Sequence, residues 1–274
     1  MEALSALAEA SATGLTSAEV ARKCGITTST CALLLAELEA QGWVGRTDDR
    51  RYRLGSGLFS IVHGLRRQFP LLDRGREALT HLHNRLDAAC SLSKIGTRHL
   101  TTIDVVGHDT SVEHAVGQRF PIDPPFGLVA MAWRVDEVVD DWLRGVRPRL
   151  TSVDIAQQQQ VLADIRARRY GAWRFDDDHS SLHQRLSSVL GSLEPSETVN
   201  RRLTTLLTLV TLKSVTDTLE SDLATAEFVV LPIFGTSGQP EYQIEIRLGG
   251  TPQVSLPELD EVLREVQDRL TPTT

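Results

Sequence analysis

The sequence predicts an α+β chain in two parts: a small helical N-terminal domain closed by a hairpin, and a larger domain in which helices pack on an antiparallel sheet. Three observations point there. From Thr16 to Leu54, apolar residues recur twice at helical spacing and then alternate around an Asp48-Asp49-Arg50 turn. From Ala88 the period becomes that of strands. After a helical middle, two further strand-like runs and an amphipathic helix close the chain.

The 274 residues suffice for one large or two modest domains, and the 41% hydrophobic content is that of an ordinary globular protein. No run of about 18 apolar residues is present, so no membrane span is expected. The opening MEALSALAEA lacks the basic-then-apolar order of a secretory signal. Cys24, Cys31 and Cys90 are odd in number and lack CxxC spacing, which favours a reducing cytoplasm over a disulfide framework or a zinc finger. The net charge of −7 is unevenly spread: residues 1–77 carry 10 Lys/Arg against 9 Asp/Glu, and residues 78–274 carry 19 against 27, so the first part is +1 and the rest −8. Four arginines, Arg46, Arg50, Arg51 and Arg53, crowd the hairpin, and phosphate contact follows the local field.

Residues 2–12 form a supporting helix with Leu4 and Leu7 as core positions. Thr16 caps a second helix, with Glu19 at the capping-box spacing, and Val20 and Ala21 give it an apolar face. Gly25 ends it. Thr27 caps a third helix whose buried stripe is Cys31, Leu34, Leu35 and Leu38, and Gly42 ends that one. Trp43–Arg46 and Arg51–Leu54 form the hairpin. Helix, turn, helix and hairpin make a winged helix-turn-helix over residues 1–57, a layout that sends one helix into a DNA groove. Leu58, Phe59, Ile61, Val62 and Leu65 continue at helical spacing, Pro70 interrupts, and Leu71–Ala89 adds Leu72, Leu79, Leu82 and Leu86 on one side. Residues 58–89 therefore read as a helical linker, its leucine stripe serving either plain packing or a subunit seam.

The second domain takes residues 90–274. Ser91–Ile95, Leu100–Val106 and Ser111–Val116 predict an antiparallel meander. Pro121, Pro124 and Pro125 stiffen a loop before a compact helix in Phe126–Trp133. Helices follow over Asp136–Leu143 and Ser152–Arg169, then a short strand, Gly171–Phe175. Glu227–Phe234 and Tyr242–Leu248 flank Gly235-Thr236-Ser237-Gly238 as a hairpin pair, and Leu256–Leu270 is the closing helix.

This order of parts resembles the isocitrate-lyase-regulator (IclR) family of bacterial transcription factors. The resemblance rests on LTSAEVARKCGITTSTCALLLAELEAQGWV and Tyr52-Arg53-Leu54-Gly55, on Gly117-Gln118-Arg119-Phe120-Pro121 with Gly127 opening an Ala-rich helix, on Tyr170-Gly171-Ala172-Trp173, and on Val230-Leu231-Pro232-Ile233-Phe234. It implies a GAF-like antiparallel-sheet effector-binding domain behind the winged helix. It also implies a homodimer or tetramer on pseudo-palindromic double-stranded DNA, and a small-molecule effector, often a carboxylate or an aromatic, that alters binding. Three departures stand out. Leu33 occupies a position where the family usually has a basic residue. Asp123 stands where a His is common, in a loop one residue short. An atypical helical insertion spans about 179–223, so operator and effector do not carry over.

For DNA contact, Thr28, Ser29 and Thr30 at the helix start offer hydroxyls beside a favourable helix dipole. Ala32 and Leu33 offer methyl contacts to thymine but no bidentate guanine contact. Arg46, Arg50, Arg51 and Arg53 suit phosphate or the minor groove, and Ser17, Arg22 and Lys23 lie where the preceding helix meets the backbone. Plain capping is the alternative for Thr28 and Ser29, an interdomain ion pair for Arg53, and a solvated hairpin for the arginines together. An effector pocket is expected from Ile103, Phe126, Gly127, Ala130, Trp133, Trp173, Leu231, Ile233 and Ile246, though each taken alone is more often simply core. Backbone N–H groups near Gly127 suit a carboxylate, but Asp123 there opposes an anion and favours a neutral or polar effector.

His179 and His183, four apart behind Asp176-Asp177-Asp178, have metal-ligand spacing, but an acid-rich helix start explains them without HExxH. No metal or cofactor is expected. GxSxG, GxxxxGK[ST] and GxGxxG are absent, so no enzyme is expected either. The alternative function is a winged-helix interaction or sensor protein without specific DNA readout.

Overall fold

A computed structural model of the chain describes residues 2–10, 13–107, 116–122, 127–145, 152–173, 226, 228–248 and 255–271. They divide into two compact units, Met1–Pro70 and Leu71–Thr274. The segment 58–89 spans this division, with one of its two helices in each unit.

In the first unit, α1 (Glu2–Ala8), α2 (Ser17–Lys23) and α3 (Thr28–Ala40) surround a core of Ala3, Leu7, Val20, Ala21, Cys31 and Leu35, closed by Val44 and Tyr52. The capping box at α2 is complete. Thr16 N and Oγ1 donate to Glu19 Oε2 at 2.7 and 2.9 Å, and Glu19 N donates to Thr16 Oγ1 at 3.3 Å. Gly25 (φ 63°) takes the left-handed turn between α2 and α3, and Thr27 caps α3 by accepting from Thr30 N at 3.2 Å. Leu34 departs from the expected stripe. It lies 100° round the helix from Leu35 and is exposed, while Cys31 and Leu35 are fully buried.

Strands β1 (Val44–Arg46) and β2 (Tyr52–Leu54) form the hairpin, and Leu15 bridges Tyr52 on the far edge of β2. The chain then turns tightly back. Gly55 N donates to Trp43 O at 2.7 Å and Gly57 N to Gly42 O at 2.9 Å. A Cβ on Gly55 would run into Gly42 O and stand 2.8 Å from backbone atoms of Trp43 and Val44. The glycine of the Tyr52-Arg53-Leu54-Gly55 phrase is thus required by backbone crossing backbone. Helix α4 (Phe59–Gln68) follows a 3-10 turn and buries none of its residues.

The second unit is built on a six-stranded antiparallel sheet in the order β5-β4-β3-β8-β7-β6. Its strands are β3 (Ala89–Ile95), β4 (His99–Val106), β5 (Arg119–Pro121), β6 (Gly171–Trp173), β7 (Phe228–Phe234) and β8 (Pro240–Arg247). Helices α5 (Leu71–Leu86) and α9 (Leu256–Leu270) cover one face with Leu79, Leu82, Val262, Leu263 and Val266, on Leu92, Leu231, Ile244 and Ile246. The other face meets α6 (Leu128–Met131) and α8 (Ser152–Arg168), with α7 (Asp136–Arg144) joining their cluster. A bulge between Leu92 and Ser93 shifts the β3–β4 register by one residue.

Several boundaries differ from expectation. Of the strand expected over Ser111–Val116, residues 111–115 lie outside the described residues, and Val116 leads into β5. The compact helix shrinks to one turn, α6, because Gly127 adopts φ 86° ahead of it. The segment 179–223 lies outside the described residues, as do Asp176–His183.

Replacing Gly55 by Ala is expected to destabilise the first unit by about 2–3 kcal/mol, because the atoms it would strike are backbone of residues 42–44, which cannot turn aside as a side chain could. Chemical denaturation followed through Trp43 fluorescence reads this, and an unchanged midpoint would refute the crossing as a constraint.

Candidate functional site

Helix α3 is held by one face only. Thr28, Ser29, Thr30, Ala32 and Leu33 are all exposed, Leu33 at 76%. The hydroxyls of Ser29 and Thr30 lie 3.0 and 2.9 Å from Thr27 Oγ1, a cluster at the helix start, while Thr28 faces outward beside them. The outer face of α3 thus offers hydroxyls on its first turn and methyl groups on its second, with no cation.

The cations sit on the wing, and not all alike. Arg46, Arg50 and Arg53 are exposed. Arg46 lies 5.5 Å from the Tyr52 ring centroid, which fixes its stem over the wing's base. Arg50 takes a left-handed φ of 62° at the tip. Arg51 turns inward instead. Its Nη1 donates to Gly14 O at 2.9 Å and stands 3.4 Å from Glu19 Oε2, and its Nε is 3.6 Å from Asp49 Oδ2. The guanidinium of Arg51, expected at phosphate, is thus engaged within the unit. The Oγ of Ser17, also expected at the DNA backbone, is buried without a hydrogen-bond partner among the described residues. On α2, Arg22 is exposed and Lys23 pairs with Glu9 at 3.6 Å.

The expected effector residues are divided by the sheet. Successive side chains on a strand point to opposite faces. Ile103, Leu231, Ile233 and Ile246 pack on the α5/α9 side, and the last three are 1% exposed or less. Leu231, Ile233 and Ile246, expected in a pocket, are thus buried in the core on that side, with Ile103 partly buried against it. Ala130, Trp133 and Trp173 lie on the α6/α8 side. There Trp133 meets Phe234 edge-on at 5.0 Å, and Trp142 Nε1 donates to Ile122 O at 2.7 Å. Gly127 is buried against Ile122. Helix α6, the expected place of a carboxylate cradle, is one turn long and starts from Gly127 at φ 86°. Asp123 and Phe126 lie outside the described residues.

The α6/α8 side holds polar groups that the apolar pattern does not single out. Ser91, Ser93, Thr102 and Gln243 are buried there. Thr102, Ser93 and Gln243 stand in one cross-strand row, and Ser91 and Glu245 in the next. Ser93 Oγ lies 3.5 Å from Thr102 Oγ1, while Gln243 Oε1 is buried without a partner among the described residues. Arg247 follows on the same side, its guanidinium 4.4 Å from the Phe228 ring centroid. The alternation Ser91-Leu92-Ser93 and Gln243-Ile244-Glu245-Ile246-Arg247 is the one available sequence signal. Read alone, it assigns these residues to solvent. A lined groove between α8 and β6 adds Asp164, Arg168 and Trp173, whose Nε1 is likewise buried without a partner.

Burial pushes the Cys90 thiol up to about 12 and raises that of Cys24 too. His179 and His183 lie outside the described residues. Among the described residues, no helix is long and apolar enough to cross a membrane.

Residues 1–48 match the IclR helix-turn-helix domain family. No curated protein matches the chain by sequence. Three solved structures share its fold nearly end to end. IclR of Thermotoga maritima is 17% identical, over 98% of this chain and 94% of its own, with a TM-score of 0.57. HmgR of Pseudomonas aeruginosa is 18% identical, over 98% and 96%, also at 0.57. An IclR homolog from Microbacterium hydrocarbonoxydans, complexed with 4-hydroxybenzoate, is 17% identical over 93% and 89%, at 0.54.

The Glu19 carboxyl is held below its ordinary 4.5, first by the Thr16 N–H, then by the Thr16 hydroxyl and the charges of Arg51 and Arg22. A value lower in the folded state than in the unfolded one gives stability that is complete above pH 4.5 and lost as pH falls through the folded value. The difference in unfolding midpoint between the wild type and Glu19→Gln should therefore shrink as pH falls below 4.5. A difference that stays constant from pH 7 to pH 3 refutes this linkage.

Proposed function

We propose that the chain, whose residues 1–48 match the IclR helix-turn-helix domain and whose fold is that of solved IclR-family structures, controls transcription as a one-component switch. It binds a pseudo-palindromic operator as a homo-oligomer and responds to a small-molecule effector. The observation that carries this reading is the bare outer face of α3, with Arg46, Arg50 and Arg53 exposed on the wing of the same unit. Exposed cations beside an exposed helix supply the electrostatic footprint that DNA requires. A regulator of this kind is not an enzyme.

The oligomer is supported by α4. Phe59, Ile61, Val62 and Leu65 are all exposed, as are Trp43 and Leu54 in the same unit. An apolar helix face left bare at this density is characteristic of association surfaces. The effector reading moves to the polar row on the α6/α8 side of the sheet. A buried carbonyl oxygen such as Gln243 Oε1 has lost its water and gains from a donor, so the favoured effector carries a hydroxyl or N–H group. The bound 4-hydroxybenzoate of the Microbacterium hydrocarbonoxydans homolog has such a hydroxyl.

One observation favours a second reading, docking of another protein: the outer face of α3 has no cation and presents Leu33 at 76% exposure. A gel shift on duplexes from the chain's own upstream region decides between the two. Specific binding at low-micromolar protein supports the DNA reading, and its absence supports docking.

Replacing Arg46, Arg50 and Arg53 together by Gln should flatten the slope of log affinity against log salt by about two to three, near 0.9 per lost phosphate contact. An unchanged slope removes the wing from the interface. Replacing Ile61 and Leu65 together by Glu should yield monomers in sedimentation velocity and lower operator affinity at least about a hundredfold, since half-sites would then bind singly. Oligomers of unchanged mass would refute α4 as the seam.

A further inference from the structure

Adjacent wing residues do opposite things. Arg50 and Arg53 face out, while Arg51 between them reaches across β2 to the connection between α1 and α2. There it meets groups that already have structural work. Gly14 precedes Leu15, which exchanges two backbone hydrogen bonds with Tyr52 at 3.0 and 2.7 Å. Glu19 Oε2, 3.4 Å from Arg51 Nη1, is the oxygen that accepts from Thr16 N and Oγ1. On its own side, Arg51 closes the wing tip. Thr47 N donates to Arg51 O at 2.8 Å, Arg51 N to Thr47 Oγ1 at 3.1 Å, and Arg50 N to Thr47 O at 2.9 Å.

We propose that Arg51 is a positioning residue: with Glu19 and Gly14 it clamps the wing to the start of α2, and so fixes where Arg50 and Arg53 stand relative to α3. A two-stranded hairpin of three-residue strands is held at its base by Val44, Tyr52 and Leu15 but leaves its tip free to swing, and an ion pair with a shared carboxylate restrains that tip. Guanidinium suits this post because its rigid plane holds Nη1 at Gly14 O and Glu19 Oε2 while Nε stands 3.6 Å from Asp49 Oδ2, a spread that the single nitrogen of an ammonium does not span. The same carboxylate caps α2, so wing position and helix start are set by one group.

This rests on the DNA reading above, and the test separates the two. In full-length protein, Glu19→Gln keeps the capping geometry, since Gln also serves at that position of a capping box. It removes an acid from the basic unit, so a simple field argument predicts tighter DNA binding, whereas the clamp predicts weaker binding, on the order of fivefold for a pair one-third exposed. Arg51→Gln should weaken binding by about the same factor with the salt slope unchanged, because no phosphate contact is lost. Arg51→Lys should not restore affinity, and the double variant should cost little more than either single one. A slope about one unit shallower in Arg51→Gln, with rescue by Lys, makes Arg51 a phosphate ligand and overturns the clamp. Hydrogen exchange gives a readout without DNA: the amides of Thr47, Arg50 and Arg51 should exchange about fivefold faster in both single variants. Should the wild type bind no duplex, the DNA reading fails while exchange still decides, with unchanged rates overturning the clamp and accelerated rates sustaining it.

Discussion

The second unit depends on the pairing of β3 with β8. It joins residues 89–94 to 242–247, so the centre of the sheet closes only when the end of the chain returns. Everything else in the unit is arranged round that pair: β4 and β5 extend it on one side, β7 and β6 on the other. A separation of about 150 residues is expensive in loop entropy, and the closure is repaid by burial on both faces of the sheet. Ile244 and Ile246 are wholly buried beneath α5 and α9, and α9 reaches them only because it directly follows β8 in the chain. Leu92 on β3 is buried just as deeply, and Gly75 on α5 lets that helix approach it, since a Cβ there would strike the Leu92 side chain.

Coverage of both faces also explains how the polar row arises. In a sheet with one wet face, Ser91, Ser93, Thr102 and Gln243 would be unremarkable surface residues. Here they are buried, and a buried amide oxygen without a partner costs free energy unless something supplies a donor. A chain selected for stability alone would place apolar side chains in that row, as it does across the sheet at Leu92, Ile244 and Ile246. The contrast between a fully apolar face and a face with a polar stripe is the physical basis for placing effector recognition on the second.

How far the sequence discloses this differs between the units. The caps at Thr16 and Thr27, the breaks at Gly25 and Gly42, and the hairpin are all local, because each depends on residues within about four positions. They are legible, and so is the two-part α+β architecture. Leu34 misleads because it adjoins a buried stripe without belonging to it, and apolar character alone does not fix the angle round a helix. Arg51 misleads for a related reason: its composition says phosphate, while its direction is set by Gly14 and Glu19, 37 and 32 residues earlier. The effector face is the least legible. Leu231 and Val230 are neighbours of equal hydrophobicity on opposite sides of the sheet, and only the pairing partners and the helices above each face tell which side is which.

The distribution of charge in the winged unit then bears on how, in the proposed function, it would read DNA. Guanidinium forks on bases are worth about 1–3 kcal/mol each in discrimination, and α3 has none to offer. Its hydroxyls and methyl groups discriminate more weakly, while the exposed wing arginines attract any duplex. A single unit of this kind would bind DNA with affinity but little selectivity. Two such units joined in a fixed spacing multiply their small preferences, and they reject sites whose half-sites are out of phase. A bare apolar helix on the same unit is therefore not an incidental feature of the proposed function: weak reading per helix is tolerable only where a second copy reads with it. The position of the wing gains importance by the same reasoning, because misplaced phosphate anchors would spoil the phase on which the pair relies.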